Sequence, residues 1–155
     1  MIRFQHLRNS AVLIALALLS MAAVAPTSYA QGKKVQHTEH QKMWQECAKA
    51  CSDCQRMCDM CSTHCAHQLH EGKTAHMASL MACQDCATIC AAASQSAARG
   101  GPYANVICAA CADICARCAT ECEKIASDSH MKACAAECRR CETACKAMAK
   151  HTASN

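Results

Sequence analysis

The chain carries eighteen cysteines among its 155 residues, and their spacing is regular. Every step within a group is three or four residues, and the four groups are Cys47, Cys51, Cys54, Cys58, Cys61, Cys65; Cys83, Cys86, Cys90; Cys108, Cys111, Cys115, Cys118, Cys122; and Cys134, Cys138, Cys141, Cys145. Thiols can pair as disulfides, bind soft metal ions or act in redox chemistry. Which of these applies depends on how the chain positions them.

Strict alternation of steps of three and four is the a/d pattern of a heptad repeat, so each group lies along one stripe of a helix. A strand cannot produce this pattern, because a step of three reverses the face in a period-two element. Residues 31–155 contain only eight Leu, Ile and Val residues and no Phe, so cysteine and alanine must fill the interior. Short connections favour antiparallel neighbours. The sequence therefore predicts an all-α, up-down-up-down antiparallel four-helix bundle with a cysteine-lined core.

Capping residues and helix breakers set the expected bounds of the helices. The signals for the four starts, in chain order, are Thr38, Thr74, Pro102 and either Ser127 or Asp128. The expected ends are His70 before Gly72, Ala98 before Gly100, Ala126 and Lys150.

Residues 1–30 have the pattern of a cleavable export signal. Arg3 and Arg8 precede an apolar run over 11–25, and Ser28 and Ala30 form a small-x-small cleavage site. We expect a flexible tail over 31–37, a bundle over 38–151, and an exported protein of the bacterial periplasm that is free of the membrane after cleavage. Without residues 1–30 the chain has 14 basic and 12 acidic side chains, which gives no footprint for nucleic acid.

Two uses of the thiols compete in an oxidising compartment. A disulfide-stabilised structural or interaction bundle is one, but β-carbons at i and i+4 of a helix lie roughly 5–6 Å apart, beyond the ~3.5–4.5 Å of a disulfide. A small domain also needs only two to four such bridges. Metal binding is the other, and the heptad spacing favours it.

Soft thiolates select Cu(I), which accepts two ligands in a line. Two sulfurs joined through one ion lie about 4.6 Å apart, a separation that Cys-x-x-x-Cys pairs reach with ordinary rotamers. Eight such pairs predict multiple Cu(I) ions per chain, hence storage and not catalysis. Zinc or cadmium sequestration is an open alternative, because facing pairs could supply four ligands. An iron–sulfur carrier is disfavoured since it needs loop cysteines.

Extending each stripe past its cysteines shows two different ends. Trp44, Met148, Ala93 and Ala97 continue the stripes at one end, which we interpret as an apolar plug with Tyr103 and Met43 nearby. At the other end His76 and Met131 continue the inward rows and are candidate metal ligands. The remaining donors expected around that end are His64, His67, His70, Met77, Met81 and His130.

The sequence resembles the copper storage proteins, a family of cysteine-lined four-helix bundles. The resemblance spans residues 47–148 and rests on the runs Cys47-x3-Cys51-x2-Cys54-x3-Cys58-x2-Cys61-x3-Cys65, Cys108-x2-Cys111-x3-Cys115-x2-Cys118-x3-Cys122 and Cys134-x3-Cys138-x2-Cys141-x3-Cys145. It implies Cu(I) held in a preformed core by bis-thiolate sites, a homo-oligomer, and His64 as a ligand at a His/Met-bearing open end. The export signal resembles that of the exported branch.

No catalytic constellation is present in the pattern, so we expect a protein that is not an enzyme. The aspartates beside cysteines, such as Asp53 and Asp113, project away from the stripes and suit surface ion pairs. A copper-requiring enzyme or a chaperone is the partner that a store of this kind would serve.

Overall fold

The computed structural model describes residues 39–153 of the chain. Four helices account for most of this region: α1 over Glu39–His70, α2 over Met77–Ala98, α3 over Ala104–Glu123 and α4 over Ser129–Ala153. A 3-10 turn over Thr74–His76 leads directly into α2. The expected export signal and tail lie outside the described residues, as does the capping residue Thr38.

The helices form an antiparallel four-helix bundle, which confirms the predicted fold class. α1 packs against α2 and α4, and α3 packs against the same two helices, so α1 faces α3 across the bundle axis. Sequence positions run in opposite directions at each interface; on α1 and α4, for example, Cys51 meets Cys145 while Cys58 meets Cys138. Short connections favour this antiparallel arrangement of neighbouring helices.

Two helices end in the same way, on a glycine with a left-handed backbone. Gly72 has φ +83°, its N–H donates to the Leu69 carbonyl, and the Lys73 N–H donates to the Gln68 carbonyl. Gly100, with φ +59°, repeats this pattern at the end of α2. Such paired bonds satisfy the last carbonyls of a helix, and only glycine takes this conformation without a steric penalty. Both ends lie where the sequence places them.

Four details of the helix bounds differ from the sequence prediction, and one of them is the end of α4, which lies at Ala153 and not at Lys150. Thr74 does not cap α2: it opens the 3-10 turn, and the N-cap residue is His76, without a side-chain cap. Pro102 precedes α3, which begins at Ala104, and α3 ends at Glu123, three residues before the expected Ala126. At the start of α4 the prediction is right, because Asp128 Oδ1 accepts hydrogen bonds from the N–H groups of His130 and Met131.

The interior is made of sulfur and alanine. At the end of the bundle formed by the start of α1 and the end of α4, Ala93, Ala97 and Met148 are fully buried, and Met43 and Trp44 pack against them. This closed end is the plug that the sequence predicts, except that Tyr103 is 72% exposed and takes no part in it. Within residues 39–153 no helix is both long and apolar enough for a membrane span.

Candidate metal centre

All eighteen cysteines are free thiols, and all of them are buried. Their relative exposure is 2% or less, so the stripes face inward over their whole length. The aspartates beside them point outward as predicted: Asp53 pairs with Lys49 and Asp113 pairs with Arg117 on the surface. The thiols therefore face one another in the core, where the surrounding helices keep them from water.

The thiols meet across the bundle axis as well as between neighbouring helices. Cys47 Sγ lies 3.7 Å from Cys108 Sγ, which joins α1 to α3, and Cys83 Sγ lies 3.8 Å from Cys134 Sγ, which joins α2 to α4. These are the diagonal helix pairs, whose backbones do not approach each other. Sulfur thus fills the centre of the bundle, where a larger apolar core would normally sit.

Neighbouring thiols on one helix are almost at the separation that a linear metal bridge needs. The Sγ atoms lie 4.0 Å apart in Cys54/Cys58 and 3.9 Å apart in Cys86/Cys90. Two bonds of about 2.3 Å in a line require about 4.6 Å, so each pair must open by roughly 0.6 Å. A small side-chain rotation provides that change.

The same thiols also form groups of four whose sulfurs all lie within 4.8 Å of one another. One group is Cys61, Cys83, Cys122 and Cys134, and another is Cys51, Cys111, Cys141 and Cys145. Tetrahedral ligands at about 2.3 Å lie roughly 3.8 Å apart, which matches the 3.7–3.8 Å contacts of Cys83 with its neighbours. The geometry alone therefore accommodates both two-coordinate and four-coordinate soft metal ions.

Burial sets the protonation of the thiol nearest the open end of the core. Burial is the largest cause, and together with the neighbouring Cys61 it raises the pKa of Cys65 to about 12. This thiol is protonated at neutral pH, so a metal ion that binds there must displace a proton.

Deeper in the core, Cys51 behaves in the opposite way. The largest single influence, its hydrogen bond with Cys111, raises its pKa. Three further thiols outweigh that influence by hydrogen bonding to the thiolate, and the pKa falls to about 6; they are Cys47, Cys141 and Cys145. Cys145 Sγ lies 3.4 Å from Cys51 Sγ. Interlocked thiols can thus hold one member ionised and ready to bind a soft cation.

Met131 closes the thiol core at the end opposite Met148. It is fully buried, and its Sδ accepts S–H hydrogen bonds from Cys61 and Cys65, each at 3.6 Å. The sequence places Met131 on the inward row, and the structure brings its thioether into direct contact with two core thiols. We use the name mouth for this end of the bundle, formed by His64, His76, Asp128, His130 and Met131.

Asp128 lies at the centre of the mouth and is a residue whose role there the sequence did not reveal. His64 Nε2 donates to its Oδ2 at 2.6 Å, and His76 Nε2 lies 3.4 Å from the same oxygen. Burial opposes ionisation of the carboxyl, but hydrogen bonds from His64 and from two backbone N–H groups lower its pKa to about 2. One carboxylate therefore joins α1, the 3-10 turn and α4.

The histidines expected near this end separate into two sets. His76 is buried, and the His130 ring stacks on the His64 ring with centroids 4.6 Å apart. His67 and His70 are exposed, and so are Met77 and Met81, at 51% and 61%. The structure thus brings three imidazoles to the mouth and leaves four other sequence candidates on the surface.

Comparison with known proteins gives a consistent result. The model of the copper storage protein family matches residues 36–150. An uncharacterized cysteine-rich protein of Bacillus subtilis, YhjQ, is 40% identical over 79 residues, which cover 50% of this chain and 70% of that protein.

Solved structures share the fold. Apo copper storage protein 3 of Bacillus subtilis is 38% identical with a TM-score of 0.59, covering 66% of this chain and 95% of that one. The Cu(I)-bound form of BsCsp3 is 36% identical with a TM-score of 0.60, and the match covers 66% of this chain and 94% of that one. The Nmul_A1745 protein of Nitrosospira multiformis is 31% identical with a TM-score of 0.62, and the match covers 70% of this chain and 96% of that one.

Proposed function

The chain belongs to the copper storage protein family, and on this premise we propose that it is an exported store that holds several Cu(I) ions on its core thiolates. The observation that carries the proposal is the unbroken column of eighteen buried, free thiols. Soft sulfur donors favour Cu(I), and repeated near-identical sites provide capacity. The Cu(I)-bound state of a structural neighbour supports the same metal and oxidation state.

The ligands in this proposal are the eighteen cysteines together with His64, His76 and Met131. Copper enters at the mouth, where thioether and imidazole bind it reversibly, and moves inward by exchange between thiolates. Met131 supports this route because it contacts two core thiols directly. The opposite end is sealed by alanine and methionine side chains, which offer no comparable set of donors.

The biological setting of the store is part of the proposal. Residues 1–30 serve as a cleaved export signal, 31–37 as a tail and 38–151 as the storage domain in the periplasm. The domain assembles into a homo-oligomer and has no catalytic role; it supplies copper to a copper-requiring enzyme or a chaperone, or removes excess metal. Support for export comes from the charged start, apolar run and small-x-small site of the sequence.

An anaerobic Cu(I) titration of the mature protein against a Cu(I)-specific chelator tests the storage proposal, beginning with a free-thiol count. We expect close to eighteen free thiols and tight uptake of several equivalents per chain. Few free thiols with little uptake would contradict the proposal and favour the disulfide-stabilised bundle.

Zinc sequestration is the alternative that the four-thiol groups keep chemically reasonable. A competition titration separates the two metals: protein loaded with Zn(II) receives Cu(I), and released zinc is measured with a zinc indicator. Stoichiometric release of zinc is the expected result. Retention of zinc against an excess of Cu(I) would make zinc the preferred cargo.

A further inference from the structure

The mouth gathers nitrogen and oxygen donors, in contrast to the sulfur donors beneath it. His64 Nε2 and His76 Nε2 both lie against Asp128 Oδ2, at 2.6 and 3.4 Å. Ligands arranged tetrahedrally at about 2.0–2.1 Å from an ion lie roughly 3.3–3.4 Å apart. His76 Nε2 and Asp128 Oδ2 already have that spacing. His64 Nε2 and Asp128 Oδ2 need to move apart by about 0.7 Å.

His76 is held in the way that metal-binding imidazoles are held in proteins. Its side chain is buried, and its Nδ1 lies 3.3 Å from the Lys73 carbonyl, to which it can donate. Such a bond fixes the ring and leaves Nε2 as the ligand atom. Here Nε2 is the nitrogen that faces Asp128.

His130 is a further imidazole of the mouth and lies beside His64. Its ring stacks on that of His64, and its Nε2 is buried without a hydrogen-bond partner among the residues that the structure describes. A buried polar atom without a partner is costly, and a bound cation removes that cost.

We propose that His64, His76 and Asp128 form a binding site for a divalent transition-metal ion, chemically separate from the thiolate core, and that the His130 ring turns out of its stack on His64 to add a fourth ligand. Imidazole and carboxylate suit borderline divalent ions, whereas thiolate and thioether select Cu(I). Among divalent first-row ions, Cu(II) binds a donor set of this kind most tightly. The mouth would then take copper in either oxidation state. The site goes beyond Cu(I) storage, and its existence does not depend on it.

Co(II) added to the full chain is the probe, after the core has received one Cu(I) per two thiols under anaerobic conditions. Co(II) keeps its oxidation state there, and nitrogen and oxygen ligands give visible d–d bands without the sulfur-to-metal bands of thiolate sites. All variants carry H37A and H40A, which removes two other histidines from the competition. We expect one Co(II) per chain with d–d bands alone.

Substitutions then assign the ligands. His64→Ala with His76→Ala should weaken Co(II) binding at least tenfold, and so should Asp128→Asn, in which the amide oxygen still caps α4. The matched control is His67→Ala with His70→Ala, two exposed histidines of the same helix, which should leave Co(II) binding unchanged. Absent Co(II) binding, sulfur-to-metal bands, or equal affinity in the His64/His76 variant would each overturn the proposal. Cu(I) content, measured in the same samples, reports separately on storage.

Discussion

At the scale of single residues, the two buried methionines of α4 make a direct test of the uptake route. Met131 and Met148 are both fully buried, at opposite ends of the core. Leucine has a similar volume but no sulfur, so either substitution should change the free energy of unfolding by less than about 1.5 kcal/mol.

We expect Met131→Leu to slow Cu(I) uptake about tenfold, because the thioether that receives the ion is lost. Met148→Leu should take up Cu(I) at the wild-type rate. The measurement is stopped-flow transfer of Cu(I) from a weak chelator. Equal rates in the two variants would show that copper does not pass Met131.

The burial of a side chain could be predicted from the sequence where the residue continues a cysteine stripe along one helix. The role of a side chain was harder to predict where it depends on contacts between several helices. His76 and Met131 continue the cysteine stripes, so the sequence places them inward, and both are buried. From the sequence, Asp128 is predicted only as a helix cap. Its second role needs His64 and His76, which lie 64 and 52 residues away along the chain, and only the folded bundle brings them together.

At the scale of helices, Gly72 controls how α1 ends. Its φ of +83° is strained for any residue with a β-carbon, although an added β-carbon would meet no atom within 4 Å. We expect Gly72→Ala to lower the free energy of unfolding of the apoprotein by about 1 kcal/mol, measured by urea denaturation. Gly72→Asn should lose less, because asparagine tolerates this conformation. An alanine variant as stable as wild type would contradict the backbone explanation.

A charged network ties α3 to α4 and gives the bundle a pH dependence. Arg139 donates to Glu123 at 2.9 Å and to Glu142 at 3.1 Å. Lys146, followed by Arg139, holds the pKa of Glu142 below its ordinary value of 4.5. A lowered pKa in the folded state gives stability that is present above pH 4.5 and is lost as the pH falls through the lower value.

Glu142→Gln should therefore cost about 1 kcal/mol at pH 7, and this difference should shrink as the pH falls below 4.5. Asp113→Asn is the control, since that carboxylate is 62% exposed and its loss should be within about 0.5 kcal/mol at either pH. Urea denaturation at pH 7 and pH 3 provides the comparison. A pH-independent loss in Glu142→Gln would rule out the carboxylate charge as its cause.

Helix number and helix facing followed from the heptad pattern, whereas helix starts did not. The periodic signal accumulates over many cysteines, so an error at one of them changes nothing. A start depends on a few local bonds, and at Thr74 the chain makes a 3-10 turn that places His76 at the cap position instead. Pro102 fits a first helical turn equally well in sequence terms, yet α3 begins two residues later.

At the scale of the whole molecule, bound copper should stabilise the core. The interior has sulfur and alanine where other bundles have leucine, so burial contributes little, and metal–thiolate bonds add the rest. We expect Cu(I)-saturated protein to melt at least about 10 °C above the apoprotein, with the same helical circular dichroism at 20 °C. A large gain of helix on loading would instead show that the thiol column forms only around metal.

The heptad stripes also make the interior modular. Seven residues of helix, a rise of about 10.5 Å, return a stripe to the same face and contribute two more thiols, whereas a single inserted residue turns every later thiol by about 100°. A bundle of this kind can be lengthened only in whole repeats, and each repeat adds a further layer of thiols to the core. Helix length, more than the affinity of any one site, is then the variable that sets how much metal one chain carries.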